Sequence, residues 1–247
     1  MNPRNLRFNS NQPWFEVKNV SESSADLYLY DVIGEDWNGN GGAKDWVAKI
    51  KALTGKHINL HINSPGGSVF DASAIVMALG THNGGVTAHI DGLAASAASW
   101  VALAADKVLM SDTGRFMMHN ASAMSWGDSR VMRKTADLLD SLNATIAEAY
   151  KKRAKGKKDE DIRNAMDAET WLSAAEAQAW GFVDEVVTGI KATNCANAEI
   201  AAALGFKNAP QEIFNQPAHP APAAHSPVKP AAWYRKRQEL NKRLVNS

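Results

Sequence analysis

Residues 57–80 read HINLHINSPGGSVFDASAIVMALG, and this stretch decides the architecture. Ile58, Leu60 and Ile62 alternate with His57, Asn59, His61 and Asn63, the period-two pattern of a half-buried strand. Asn63-Ser64-Pro65-Gly66-Gly67 interrupts that pattern with turn-forming residues. A helix is expected after Gly67, with Val69, Phe70, Ser73 and Met77 on one side and Ile75 and Leu79 near it. Strand, glycine turn and helix together make half of a βαβ unit.

The same alternation continues on both sides. Upstream, Leu27–Ile33 (LYLYDVI) predicts a strand rich in β-formers, and Ala43, Trp46, Val47, Ile50 and Leu53 recur at helical spacing. Downstream, Gly84-Gly85 punctuates, and Val86, Ala88 and Ile90 predict a strand. A short alanine-rich helix from about Ala95 to Ala104 follows, then strands at Lys107–Met110 and Arg115–Met118. Ser129–Arg153 predicts a long amphipathic helix with Val131, Leu138, Leu142, Ile146 and Ala149 as its apolar stripe. A shorter helix passes through Ile162 and Met166. Ser173 with Glu176 forms a capping-box pattern, Gly181 sits where a helix C-cap glycine belongs, and Phe182–Val187 is the last expected strand.

The chain has 247 residues, of which 45% are hydrophobic and 21% charged, with a formal net charge of +1. That is enough apolar material for one sizeable core. The charge balance points to neither nucleic acid nor an anionic membrane surface. A single cysteine, Cys195, excludes an internal disulfide framework. The opening MNPRNLRFNSNQPW lacks the apolar run of a secretory leader. No apolar stretch reaches the roughly 18 residues of a membrane span. The expectation is a cytoplasmic protein. Residues 1–190 form the expected domain. Residues 191–230 are a linker whose stretch 209–230, APQEIFNQPAHPAPAAHSPVKP, is too rich in Pro and Ala to pack a core, and 231–247 are a basic terminal segment.

Three segments carry chemistry. In the first, the paired glycines Gly66 and Gly67 let a backbone N–H approach a ligand or an oxyanion. In the second, Gly92-Leu93-Ala94-Ala95-Ser96-Ala97-Ala98-Ser99 turns sharply from strand to helix among small residues, so that Ser96 can stand exposed at a helix start. The third is His119, at the end of the strand-like Phe116-Met117-Met118. Each is ordinary alone: a turn, a packing serine, a boundary histidine. His57, His61, His82 and His89 lack metal-ligand spacing, so no metal site is expected.

Taken together and in this order, the segments resemble the proteolytic subunit of the Clp protease. HINSPGGSV resembles that family's strand and glycine turn, GLAASAAS its nucleophile turn, and RFMMHNAS its histidine strand. ETWLSAAEAQAWGFVDEVV resembles the segment with its acid, last helix and closing strand. The opening WFEVKN…ADLYLYDVIG, Trp126-Gly127 and the long C-terminal extension are similar to the phage head maturation proteases of the same family.

The resemblance implies an α/β fold of the ClpP/crotonase type, a spiral of βαβ units with the long helix projecting as a handle. It implies a serine endopeptidase with Ser96 as nucleophile and His119 as general base. The family's acid position holds Glu169, with Asp167 as the alternative. The backbone N–H groups of Gly67 and Ala97 correspond to the oxyanion hole, and Gly66, Ser68, Val69 and Asn120 to the substrate-binding strands. No metal or organic cofactor is implied. The implied partners are a protein or peptide substrate (scaffold, capsid or portal proteins), further copies in a homo-oligomeric ring and, alternatively, an ATP-driven unfoldase. A catalytically inert assembly factor on the same fold is the non-enzymatic alternative.

Overall fold

The computed structural model describes residues 15–34, 42–188 and 204–210. Strands β1 (Phe15–Lys18), β2 (Ser24–Leu29), β3 (His57–Ser64), β4 (Val86–Ala95), β5 (Lys107–Ser111) and β8 (Glu185–Val187) run side by side in the order β1-β2-β3-β4-β5-β8. The β1–β2 pair is antiparallel; the pairs from β2 through β8 are parallel. Helices α1 (Ala43–Ala52), α2 (Val69–Gly80) and α3 (Ala97–Ala102) make the crossovers. Mixed α/β architecture follows from the period switching read in residues 57–80, and Ile58, Leu60 and Ile62 are fully buried. Their polar alternates face the other way, where His61 stacks between Tyr28 and His89 and its Nδ1 lies 2.9 Å from an Asp91 carboxylate oxygen.

Strand β4 forks the sheet. Its first half, Thr87–Ile90, pairs with β5, whereas Leu93–Ala95 pairs with β6 (Arg115–Met118). β6 in turn pairs antiparallel with β7 (Thr170–Ser173). The strand that ends at Ser96 is therefore tied to the strand that ends just before His119.

Helix α4 (Ser129–Arg153) has the bounds expected of the handle. Asp128 caps it, accepting from the N–H groups of Arg130 and Val131. Only its C-terminal part is buried, through Ile146, Ala147 and Tyr150. Val131 and Leu138 are 42% and 48% exposed. Helix α5 (Asp159–Asp167) and helix α6 (Ala174–Trp180) follow. Ser173 and Glu176 form the expected capping box, and Gly181 closes α6 in the left-handed conformation.

Some expectations are corrected. The first predicted strand ends at Leu29 because residues 30–33 peel away to reach the glycine turn, where Ile33 bridges Gly67. The last strand is confined to Glu185–Val187, since Phe182 and Val183 bond back to Ala177 at the end of α6. The buried face of α2 is Ala72, Ile75 and Leu79, while Phe70 and Met77 are 64% and 67% exposed. Among the described residues no helix is long and apolar enough to cross a membrane. The basic segment 231–247 and the linker from 211 onward lie outside the described residues.

Candidate active site

Ser96 occupies the junction of β4 and α3 with φ 55° and ψ −126°, a conformation that costs a non-glycine residue on the order of 1–3 kcal/mol. The surroundings hold it there. Its N–H donates to the Met117 carbonyl at 3.0 Å. Its carbonyl accepts from Ser99 Oγ at 2.6 Å, and the Tyr150 hydroxyl meets Ser99 Oγ at 2.7 Å. Because Ser99 already spends its proton on the Ser96 carbonyl, the phenol is the donor. Tyr150 is fully buried, and burial drives its pKa upward, so it stays a donor. Ala94, Ala95 and Ala98 are completely buried beneath the turn, which explains the run of small residues around the serine.

The glycine turn packs directly under the turn at Ser96. A Cβ on Gly66, at φ +91°, would stand 2.6 Å from the Ala95 carbonyl and 2.8 Å from the Ser96 Cβ. The Gly66 carbonyl accepts from Ile33 N–H and Ser68 N–H donates to the Ile33 carbonyl, both at 2.8 Å. Those bonds fix the turn and leave the Gly67 N–H between them without an acceptor among the described residues. The Ala97 N–H, at the first position of α3, is likewise unengaged among them.

His119 follows β6 and places Nε2 2.7 Å from Ser96 Oγ. Burial depresses the pKa of the imidazole, opposed by the nearby negative charge of Glu169. The ring is therefore neutral at neutral pH, the state in which Nε2 can accept a proton. The loop after it is anchored to the handle, where Asn143 Oδ1 accepts from the Ala121 N–H at 2.7 Å.

The two carboxylates go separate ways. An extended stretch would have set Asp167 and Glu169 on one face, but Asp167 ends helix α5 and Glu169 adopts φ +50°. Asp167 accepts from Asn120 Nδ2 at 2.6 Å, away from the imidazole. Glu169 is only 8% exposed and lies close enough to act on His119 electrostatically. No hydrogen bond joins them, however. Its carboxylate accepts instead from the backbone N–H groups of Lys207 at 2.8 Å and Asn208 at 2.7 Å, and from Trp171 Nε1 at 3.1 Å.

Ser96 and His119 open onto a cleft of about 850 Å³, walled by Gly67, Ser68 and Val69 on one side and by Ala121, Ser122 and the handle residue Leu142 on another. Of the expected substrate contacts, Ser68 and Val69 line this cleft. Gly66 is turned under Ser96, where only a missing side chain fits, and Asn120 is held by Asp167. Among the described residues no cluster of His, Cys, Asp or Glu could hold a metal ion.

Residues 32–189 match the Clp protease family, and the chain belongs to it. It is 33% identical over 133 residues to the ATP-dependent Clp protease proteolytic subunit of Pleurastrum terricola, covering 53% of this chain and 67% of that one. It is 32% identical over 153 residues to ATP-dependent Clp protease proteolytic subunit 2 of Frankia casuarinae, covering 58% and 66%. The chain thus spans about two thirds of the length of these relatives. The fold matches that of a ClpP1 mutant from Listeria monocytogenes with a TM-score of 0.57 at 22% identity, over 66% of this chain and 91% of that one.

Sequence reasoning missed the supports. Ser99, Tyr150 and Asn143 position the pair, and Tyr150 lies on the buried stripe of α4 where a phenol needs a polar partner. That was the one signal available. It also missed the segment 204–208, whose composition looks like part of a linker.

Proposed function

We propose that this protein is a serine endopeptidase. The observation that carries the reading is the 2.7 Å contact between Ser96 Oγ and the Nε2 of a neutral, buried His119. In the reaction, Nε2 takes the hydroxyl proton while Oγ attacks the scissile carbonyl carbon. The Gly67 and Ala97 N–H groups receive the oxyanion. Collapse of the tetrahedral adduct expels the amine, which takes the proton back from His119, and water then repeats the sequence to release the acyl group. Gly67–Val69 and Ala121–Ser122 flank the cleft as edges to which an extended peptide adds as a strand.

The substrates we propose are scaffold, capsid or portal proteins cut during phage head maturation, in the host cytoplasm or within the prohead. The similarity of the opening segment, of Trp126-Gly127 and of the Pro/Ala-rich extension supports this reading. A second reading, a subunit of an ATP-dependent degradation complex, is favoured by the names of the two curated relatives. Homo-oligomeric assembly is common to both.

An active-site fluorophosphonate with intact-mass analysis tests the chemistry. One adduct is expected on the wild type and none on Ser96→Ala, while an unlabelled wild type supports the inert assembly factor. Co-expression with capsid and scaffold proteins then separates the two substrate readings. Cleavage without an ATPase supports head maturation, and cleavage only in the presence of an unfoldase supports the degradation complex.

A further inference from the structure

Residues Leu204–Asn208 return to the catalytic cleft. Leu204, Gly205 and Phe206 line it, and Gly205, at φ +77°, makes the bend that brings them there. The Phe206 ring stands edge-on to His119 with centroids 5.6 Å apart, and to Trp171 at 5.5 Å. Phe206 also packs on Leu93 and Met117, the apolar patch beside the nucleophile turn. Asn208 Nδ2 donates to the Ala168 carbonyl at 2.9 Å and fastens the far end.

Between these anchors lie the N–H groups of Lys207 and Asn208, and both donate to Glu169. A nearly buried carboxylate needs donors, and charge-assisted bonds to two backbone amides satisfy it well. An imidazole serving as base needs a carboxylate on Nδ1 to fix its tautomer and stabilise the imidazolium. The carboxylate that could do so is occupied by the C-terminal segment.

We infer that Leu204–Asn208 is a built-in plug, which fills part of the substrate cleft and withholds Glu169 from His119. The inference rests on the serine peptidase reading of the same site. The chain then has two states. With the plug seated, Glu169 bonds to Lys207 and Asn208, and Ser96 and His119 form a dyad inside a partly filled cleft. With the plug released, the carboxylate loses two donors, and the Nδ1–H of His119 replaces them. Tethering gives the plug a high effective concentration, so a substrate strand must displace it to bind.

The test uses the full-length protein and two separate variants. Phe206→Ala removes the apolar anchor, and Lys207→Pro removes one of the donors to Glu169. Each should raise the rate of fluorophosphonate labelling of Ser96 and of peptide hydrolysis by about tenfold, the increase for a plug seated roughly nine-tenths of the time. Amide hydrogen exchange on Ser96→Ala, which has no activity to confuse the readout, should show Lys207 and Asn208 protected, and Glu169→Ala should abolish that protection. Unchanged or slower labelling in both variants overturns the plug, as does unprotected exchange at Lys207 and Asn208. Absence of any labelling in wild type and variants alike overturns the peptidase reading and the brake with it. Protected exchange together with slower labelling shows Glu169 positioned by the segment for catalysis, which also overturns inhibition while leaving the peptidase reading intact.

Discussion

The Tyr150 hydroxyl, fully buried on the handle helix, donates to Ser99 Oγ at 2.7 Å, and Ser99 in turn holds the carbonyl of Ser96. The nucleophile turn is thus propped from an element far from it in sequence. Tyr150→Phe keeps the ring and removes one bond, so stability should fall by about 1 kcal/mol. Peptide turnover should fall several-fold with KM little changed, because the strained backbone of Ser96 loses its outermost support. Chemical denaturation and steady-state kinetics on the same preparation check both.

Gly66 has no room for a side chain. Gly66→Ala places a methyl group 2.6 Å from the Ala95 carbonyl and 2.9 Å from the Ala97 N, at a φ of +91°. The turn and the nucleophile must part. Activity should be lost, and stability should drop by about 1–3 kcal/mol for the backbone strain alone. A variant with wild-type turnover would show that the glycine turn does not set the position of Ser96.

The two carboxylates should behave differently when neutralised. Asp167→Asn preserves an oxygen acceptor for Asn120 and should leave turnover close to wild type. Glu169→Gln removes the negative charge near His119 and should lower peptide turnover by tenfold or more while the fold is retained. The reverse ranking in kinetic assays would transfer the role to Asp167.

Burial holds the pKa of His119 below its ordinary value of 6.5, and the charge of Glu169 only partly opposes this. The base works when neutral, so activity is present above the depressed pKa and is lost as pH falls through it. The acid limb of kcat/KM for a small peptide, which reports the free enzyme, should therefore have its midpoint below 6.5. A midpoint above that value contradicts an imidazole whose burial outweighs the charge of Glu169.

The handle leaves apolar surface uncovered: Val131, Met132 and Leu138 are 42%, 42% and 48% exposed, and Met124 and Trp126 just before it are 88% and 97% exposed. Apolar patches of this kind mark interfaces. The protein should be a homo-oligomer at micromolar concentration by light scattering, and Leu138→Glu should shift it toward smaller species. A monomeric wild type contradicts this.

What the sequence made legible was what repeats or recurs locally. The alternation in HINLHIN and the spacing of α4 depend on neighbours in the chain, and both were readable to within a residue or two. Ser96 and His119 could be paired because each sits at a strand end in a recognisable motif. The buried face of α2 was not readable, since apolar residues occur all round it and tertiary packing chooses among them. The separation of Asp167 from Glu169 was not readable for a different reason. A left-handed residue at Glu169 rotates the chain, and no propensity announces a positive φ at a glutamate. The seating of Phe206 depends on contacts with Leu93, Met117, His119 and Trp171, none of them near it in sequence.

The fork in β4 bears on how the molecule is born. Leu93–Ala95 has its partner in β6, β6 is completed by β7, and the turn that follows is braced by Tyr150. Domains fold as units as the chain is synthesised from its N-terminus. A copy still on the ribosome therefore carries its serine into the crowded cell well before the strand and helix that shape the turn have been translated. On the peptidase reading proposed above, reactivity requires β7 and Tyr150 to have been made, and unfinished chains are expected to leave the polypeptides growing beside them uncut.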